Sequence, residues 1–438
     1  MPLLISTMFW LAVYIILVLA PLLVLKFGKV PPGLGFWWDF SMALGFAGLS
    51  MMGIQFILTA RFKYLSAPYG IDIIYFFHRY LAIIAFTFIL IHPVIIYFYA
   101  PNALQPAHPA DAPGHMTAGR IALVLFVLII VSSMFRKQLK LSYEYWRLSH
   151  VLLTTTAFIL SIIHVAGVGY YIEAPLKRIL WMAYSFFWLF LIIDVRLVKP
   201  WQLIRRPYRV VEVRPQRGYV HTLVLAPENH AGLTFKAGQF AWLSLQSPFA
   251  LREHPFSFSS SPASPDRLEF TIKELGDFTR TIKTIKPGSL AYVDGPYGNF
   301  TLERFKSAPA LVFVAGGVGI APIMSILLNL SEQNDPRPVM LFYGNEDWER
   351  VTFREELENL QQRSKLKVIH VLKQPPENWQ GEAGLIDQTL LHKYLKDGWL
   401  EAEFFICGPG AMRTAVESAL SQLGVPMRRF HSELFELV

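Results

Sequence analysis

The chain has 438 residues, 53% of them hydrophobic and only 16% charged, with a formal charge of +8 and a single cysteine. Soluble domains average about 25% charged residues, so much of this chain is built for surroundings other than water. One cysteine excludes a disulfide framework and any cysteine-ligated zinc or iron–sulfur site within the chain, and the basic residues form no dense stripe of the kind a nucleic acid would need.

The hydrophobic excess is uneven. Long apolar runs fill residues 1–200, and from about Arg209 charges return and strand-like alternation begins. The pattern reads as a membrane half followed by a soluble half. A bilayer core needs about 20 apolar residues in a helix. Six candidates lie at about 3–25, 36–59, 71–99, 118–135, 148–169 and 179–198. The first is too long for a secretory signal, with no basic segment before it and no small-residue cleavage site after it. Arg61, Lys63, Arg136, Lys137, Lys140, Arg147, Lys199, Arg205, Arg206 and Arg209 fall on one side of the six spans, against Lys26, Lys29, Lys177 and Arg178 on the other. The positive-inside rule then places both termini and the soluble half in the cytoplasm, with the spans in the lipid of the cell membrane.

The third span carries His78 and His92, fourteen residues apart, and the fifth carries His150 and His164 at the same interval. Fourteen helical residues rise about 21 Å and turn about 1400°, roughly 40° short of four full turns. Each helix thus projects two imidazoles from nearly one face, one near each leaflet. Spans three and five run parallel, so His78 can face His150 and His92 can face His164. Ionisable groups inside a span are costly and usually functional. Neutral imidazole is a standard axial ligand of haem iron, and two facing pairs give two stacked haems with every axial position filled.

"FHRYLAIIAF" entering span three and "YEYWRLSH" entering span five resemble the ferric reductase-like transmembrane domain shared by NADPH oxidases and ferric-chelate reductases. With the soluble half included, the resemblance covers nearly the whole chain. It implies two haem b groups on His78, His150, His92 and His164.

After Arg209, "YRVVEVRP", "VHTLVLAP", "QFAWLSLQ", "LEFTIKEL" and "LAYVDGPYG" are short alternating or β-branched runs between turn residues, which suits a small antiparallel barrel. "HPFSFSSSP" resembles the flavin signature of the ferredoxin reductase superfamily. It implies FAD, with Phe256 against the isoalloxazine ring, Ser257 hydrogen-bonding near its reactive nitrogen, Pro255 within the motif, and His254 where many relatives place an Arg on the pyrophosphate. "FTIKELGDFTRTI" looks like the family segment that opens a helix beside that pyrophosphate. Gly276 would permit the turn, Asp277 or Thr279 would cap the helix, and Lys273 would add charge.

"ALVFVAGGVGIAPIMSILLNL" reads as buried strand, Gly-rich turn and helix, with Gly316, Gly317 and Gly319 letting a pyrophosphate approach the backbone. Alternating strands and helices follow, which implies a parallel sheet covered on both faces. "CGPGAM" is a second family motif. It implies that Cys407, followed by Gly408 and Pro409, lies near the nicotinamide and helps place the hydride donor carbon over the flavin. Near the C-terminus, Phe435 would cover the free flavin face, with Glu433 beside it as a proton or hydrogen-bond partner. After Tyr343 and Gly344 the acidic Glu346 and Asp347 suit a ribose hydroxyl better than a 2′-phosphate, which favours NADH over NADPH.

The expected architecture is a six-span helical bundle (1–200), an antiparallel β-barrel FAD domain (201–302) and an α/β NAD(P) domain (303–438). The resemblance implies electron flow from cytoplasmic NAD(P)H through FAD and two haems to a small acceptor at the outer face, either oxygen or a ferric chelate. The rival reading is a membrane channel or transporter with a flavin redox sensor, the histidines forming a proton path. The sequence points to no particular protein partner.

Overall fold

A computed structural model of the chain describes residues 3–26, 32–61, 71–108, 110–249, 253–264, 266–396 and 398–433. The chain divides into two compact units, Met1–Pro200 and Trp201–Val438.

The first unit holds six helices long and apolar enough to cross a membrane. They are α1 (Leu3–Lys26), α2 (Phe36–Thr59), α3 (Ile71–Tyr99), α4 (Gly114–Met134), α5 (Tyr143–Val168) and α6 (Pro175–Ile193). α4, α5 and α6 each begin about a turn before the expected limits. Hydropathy stops at the first polar residues, whereas the backbone hydrogen bonds continue through amphipathic flanks such as Tyr143–Arg147. α5 stops at Gly169, whose φ of +68° provides a left-handed cap, and α6 opens with Pro175 in its first turn. α6 passes through a π-turn at Asp194–Val198 and runs on helically to Ile204.

Small residues set the packing. α2 lies along α3, and α4 along α5. A Cβ on Gly48 would sit 2.7 Å from Ile89 Cγ1, and one on Gly53 2.6 Å from the Trp188 ring. Close approach through glycine is the usual device where lipid removes the hydrophobic drive between helices. α3 and α5 have no comparable backbone contact, which leaves room between the helices that carry the histidines.

The second unit holds two six-stranded sheets. The first is antiparallel, in the order β4-β3-β6-β1-β2-β5, from β1 (Tyr208–Gln216), β2 (Val220–Pro227), β3 (Phe240–Leu245), β4 (Glu253–Ser257), β5 (Leu268–Lys273) and β6 (Leu290–Tyr297). A bridge between Phe258 and Phe270 joins the two edges and closes a barrel around Phe258, Phe270, Leu223 and Leu243. A short helix α7 (Asp277–Thr281) follows β5.

The second sheet is parallel, in the order β10-β9-β8-β7-β11-β12. Its strands are β7 (Leu311–Gly316), β8 (Val339–Asn345), β9 (Leu366–Leu372), β10 (Glu382–Ala383), β11 (Glu403–Cys407) and β12 (Phe430–Glu433). α8 (Ile320–Glu332) and α9 (Arg354–Arg363) cover one face, and α10 (Gln388–Tyr394) and α11 (Gly410–Gln422) the other, so both faces are buried. β10 and β12 carry no signal in the sequence: they are short, and their residues do not alternate.

The sheets meet through backbone. A Cβ on Gly238, where φ is +90°, would lie 2.9 Å from Ile326 Cδ1 on α8 and 1.9 Å from Phe300 O in the segment that leaves the barrel. Ser325 Oγ on α8 donates to Ser260 O at 2.6 Å. The β1–β2 turn docks on the other side: Thr352 Oγ1 donates to Arg217 O at 3.2 Å, and a Cβ on Gly218 would lie 2.8 Å from Arg350 O. Gly238→Ala combines a clash with a disfavoured φ, and is expected to cost at least about 1–3 kcal/mol. Thermal unfolding of the full chain in detergent should show a lowered Tm.

Candidate functional site

The helix spacing sets the four histidines in two levels. The imidazole centroids of His78 and His150 lie 6.4 Å apart at an interplanar angle of 68°. Two metal–imidazole bonds of about 2 Å, with about 1.1 Å from each ring nitrogen to its centre, would need about 6 Å. Ser133 Oγ donates to Ile129 O at 2.6 Å and so accepts from His150 Nδ1 at 3.3 Å. Trp146, one turn before His150, packs tilted at 41° with its ring centre 5.2 Å from the imidazole.

At the second level, His92 Nδ1 lies 3.0 Å from Ser41 O, while Ser41 Oγ donates to His92 O at 2.9 Å. His164 Nδ1 lies 3.1 Å from His115 O. A carbonyl partner fixes the proton on Nδ1 and leaves the Nε2 lone pair for a metal. A glycine faces each of these rings. A Cβ on Gly119 would lie 2.6 Å from His164 Nδ1, and one on Gly45 3.4 Å from the His92 ring. Both histidines line a cavity with about 1250 Å³ of empty space, its mouth included, together with Trp38, Phe46, Arg120 and Tyr171. Arg120 pins the loop over it, donating to Leu104 O at 2.6 Å and Gln105 O at 3.1 Å. Among the described residues no cluster of three metal-binding side chains exists. Paired imidazoles across a gap therefore fit a metal whose remaining ligands come with it, as in haem.

In the barrel, β4 carries His254, Pro255, Phe256 and Ser257. Ser257 is buried, and its Oγ has no hydrogen-bond partner among the described residues. A buried hydroxyl left without a partner is costly, and a ligand atom beside it would remove the cost. Phe278 on α7, which no sequence pattern singles out, packs 4.3 Å from the His254 ring and stacks 6.1 Å from Phe256. Only its place in "GDFT" could have pointed to it. Lys273 ends β5 one turn away. One expectation changes here, and one of two alternatives is selected. Gly276 has φ −139°, an ordinary extended value, so its lack of a side chain serves no turn. Thr279, not Asp277, is the capping side chain: its Oγ1 accepts from Leu275 N at 2.8 Å and Gly276 N at 2.9 Å, which takes those amides out of reach of a phosphate.

In the parallel sheet the order reverses between β7 and β11, and such switch points form crevices at the carboxyl ends of the strands. The two glycine motifs end those strands. Gly317 has φ +53°, and a Cβ on Gly319 would lie 2.2 Å from Cys407 O. A Cβ on Gly316 would meet Met412 Sδ at 2.7 Å and Pro409 Cδ at 2.9 Å, and one on Gly408 would meet Gly316 N at 3.0 Å. The turns press together, so a pyrophosphate would meet backbone amides without side chains in the way.

Cys407 is fully buried; burial and then the Glu433 carboxylate push its thiol pKa well up, the opposite of a nucleophile. Glu433 pairs with Cys407 across β11 and β12, and its Oε1 lies 3.3 Å from where a Cβ on Gly298 would stand. It thus sits at the seam of the two sheets. Phe435 lies outside the described residues. Beyond β8, Arg350 is paired with Asp347 at 2.9 Å, and the Arg354 guanidinium lies 4.0 Å over the Trp348 ring.

Three family models match successive parts of the chain: a ferric reductase like transmembrane component over residues 44–162, an FAD-binding domain over 219–301 and an oxidoreductase NAD-binding domain over 313–418. The chain thus joins a ferric reductase-like transmembrane domain to FAD- and NAD-binding domains of the ferredoxin reductase type. Among curated proteins it is similar to the glycine betaine monooxygenase reductase subunit of Chromohalobacter salexigens, 28% identical over 54% of this chain and 65% of that protein. It is also similar to a component of the Na(+)-translocating NADH-quinone reductase of Pseudoalteromonas atlantica, 35% identical over 34% of this chain and 38% of that one. The chain thus spans less than two thirds of either relative. A solved flavohemoglobin from Malassezia yamatoensis is 20% identical over 77% of this chain and 90% of its own, with a TM-score of 0.48.

Gly319→Ala should push the two turns apart and raise the KM for the nicotinamide about tenfold or more, equivalent to about 1.4 kcal/mol, with FAD content unchanged. The thiol of Cys407 should resist iodoacetamide in the native chain at pH 8 and react fully once the protein is denatured.

Proposed function

We propose that this chain carries electrons from NAD(P)H, with NADH favoured, across the membrane to a small acceptor, oxygen or a ferric chelate, at the face opposite its soluble half. His78 with His150 and His92 with His164 hold two haem b groups, one near each face. The observation that carries this reading is the paired geometry: equal fourteen-residue spacing on two parallel helices, and a 6.4 Å gap between the imidazoles of the first pair.

When bound, the flavin accepts a hydride from the nicotinamide and releases its electrons singly, and the haems relay them. The chain's own work is placement. Ser41 and the His115 carbonyl hold the rings of His92 and His164 by Nδ1, while Gly45 and Gly119 keep space beside them. Two imidazoles per iron leave no open coordination position, which suits electron passage rather than binding at the metal. In the barrel, Phe256 would support the isoalloxazine and Ser257 Oγ, buried without a partner among the described residues, would meet its polar edge. Gly316, Gly317 and Gly319 admit the nicotinamide pyrophosphate, and Cys407 and Glu433 line the approach to the flavin. Arg350 and Arg354, each engaged by a neighbour, offer little to a 2′-phosphate, which supports NADH. The basic residues at the ends of the spans support a cytoplasmic soluble half.

His92→Ala and His164→Ala should each lower the haem content from two per chain to one and abolish acceptor reduction, while NADH still bleaches the flavin. Reduced-minus-oxidised spectra of the purified variants, with pyridine haemochrome quantitation, make the check. Full haem content in both variants would sink the assignment. Gly119→Val should behave as His164→Ala does, because its side chain would occupy the space of the imidazole.

A further inference from the structure

The cavity at His92 and His164 also carries polar groups that metal ligation leaves unused. Tyr171 lines its wall from the short turn Tyr170–Ile172 after α5. The ring is fixed edge-on to Phe46, with centroids 6.3 Å apart at 90°. Its hydroxyl lies 2.6 Å from Oδ1 of Asp39, in the first turn of α2. Among the described residues Asp39 forms no salt bridge. The exposed backbone of Gly33 passes so close that a Cβ there would lie 2.7 Å from Asp39 Oδ2. One carboxyl oxygen therefore faces the phenol, and the other faces the solvent edge of the bundle.

A carboxyl at the end of an apolar bundle is an expensive way to anchor one tyrosine; a serine or a main-chain carbonyl would serve. What the carboxyl adds is a group that can both take and give a proton. Solvent edge, carboxyl, phenol and cavity follow one another without a gap, and the central step is a short hydrogen bond. That is the geometry of general acid catalysis through a relay.

We propose that Tyr171, with Asp39 behind it, delivers protons to the acceptor reduced in this cavity. The acceptor is therefore a neutral molecule whose oxygen atoms are protonated on reduction. The proposal rests on reading His92 and His164 as the electron outlet. Two sources share this chemistry. Dioxygen with two electrons and two protons becomes hydrogen peroxide, and a quinone with two electrons and two protons becomes a quinol. In each proton transfer the phenolic O–H breaks and an O–H forms on the acceptor as an electron arrives. A proton then returns to the phenolate oxygen from the Gly33 edge, passed on by the Asp39 carboxyl. Tyr171 is the catalytic residue and Asp39 the positioning one. A ferric complex takes one electron and no proton, and would make no use of the pair.

The test uses the full chain in detergent, loaded with FAD and haem, as the unsubstituted protein, Tyr171→Phe and Asp39→Asn. NADH is the donor, and the acceptors are dioxygen, a water-soluble benzoquinone and ferricyanide. The unsubstituted protein should show a solvent deuterium isotope effect with dioxygen or with the benzoquinone, and none with ferricyanide. Tyr171→Phe should slow that proton-taking acceptor at least tenfold and abolish its isotope effect. Its ferricyanide rate should stay within twofold and its haem absorbance spectrum should not change. Whichever of the two acceptors is slowed identifies the source. Equal slowing with all three acceptors, or a shifted haem spectrum, would show a structural tie only and overturn the proposal. Unchanged rates with all three would overturn it as well. If Tyr171→Phe does not fold, Asp39→Asn, nearly identical in shape, is judged by the same criteria. An absence of haem bands in the unsubstituted protein would overturn the histidine assignment itself, a distinguishable failure.

Discussion

A side chain fourteen residues along a helix returns almost to the face it left, about 21 Å further on. The membrane unit depends on that repeat. It lets one helix carry a histidine at each of two levels, so two helices carry both histidine pairs, and the other helices are free to act as supports. α2 and α4 take that part. Ser41 on α2 and the His115 carbonyl on α4 orient the distal imidazoles, and Gly45 and Gly119 on the same helices make room for them. The two histidine-bearing helices do not pack closely on each other; each packs along its own support, α3 on α2 and α5 on α4.

The soluble unit meets a comparable demand with other means. Its ligands are planar or phosphorylated, so the need is for backbone that comes close. Glycines at the ends of β7 and β11 provide it, and the order of the sheet puts those two ends side by side. The barrel offers a hydroxyl, Ser257, buried without a protein partner among the described residues. In both units the function-bearing positions are the ones where ordinary packing has been left incomplete.

Much of this was legible in the sequence because it is written in short periods. The six spans follow from apolar run length, the barrel from alternation, and the parallel sheet from strands that alternate with helices. The four histidines stood out because imidazoles are rare in lipid and their spacing repeats. What escaped was set by distant contacts. Phe278 meets His254 only once β4 and α7 fold together. Gly276 looked like a turn residue, yet its backbone is extended and Thr279 performs the capping. The strand β12 is four residues long and is defined by its neighbour β11, not by its own pattern. The Tyr171–Asp39 pair joins residues 132 positions apart, and no local pattern could signal it.

The docking of the β1–β2 turn has a consequence for how the nicotinamide gains entry. Arg217 meets Glu349 and Glu355, exposed pairs of small worth, but Thr352 and Gly218 add contacts made by backbone. Gly238 against Ile326 of α8 and Ser325 on Ser260 fasten the barrel to the parallel sheet at other points. Two bodies riveted at separated places have no common hinge line. Any rotation of the barrel against the parallel sheet has to break contacts at more than one place, so movement of single side chains costs less there than a parting of the two sheets.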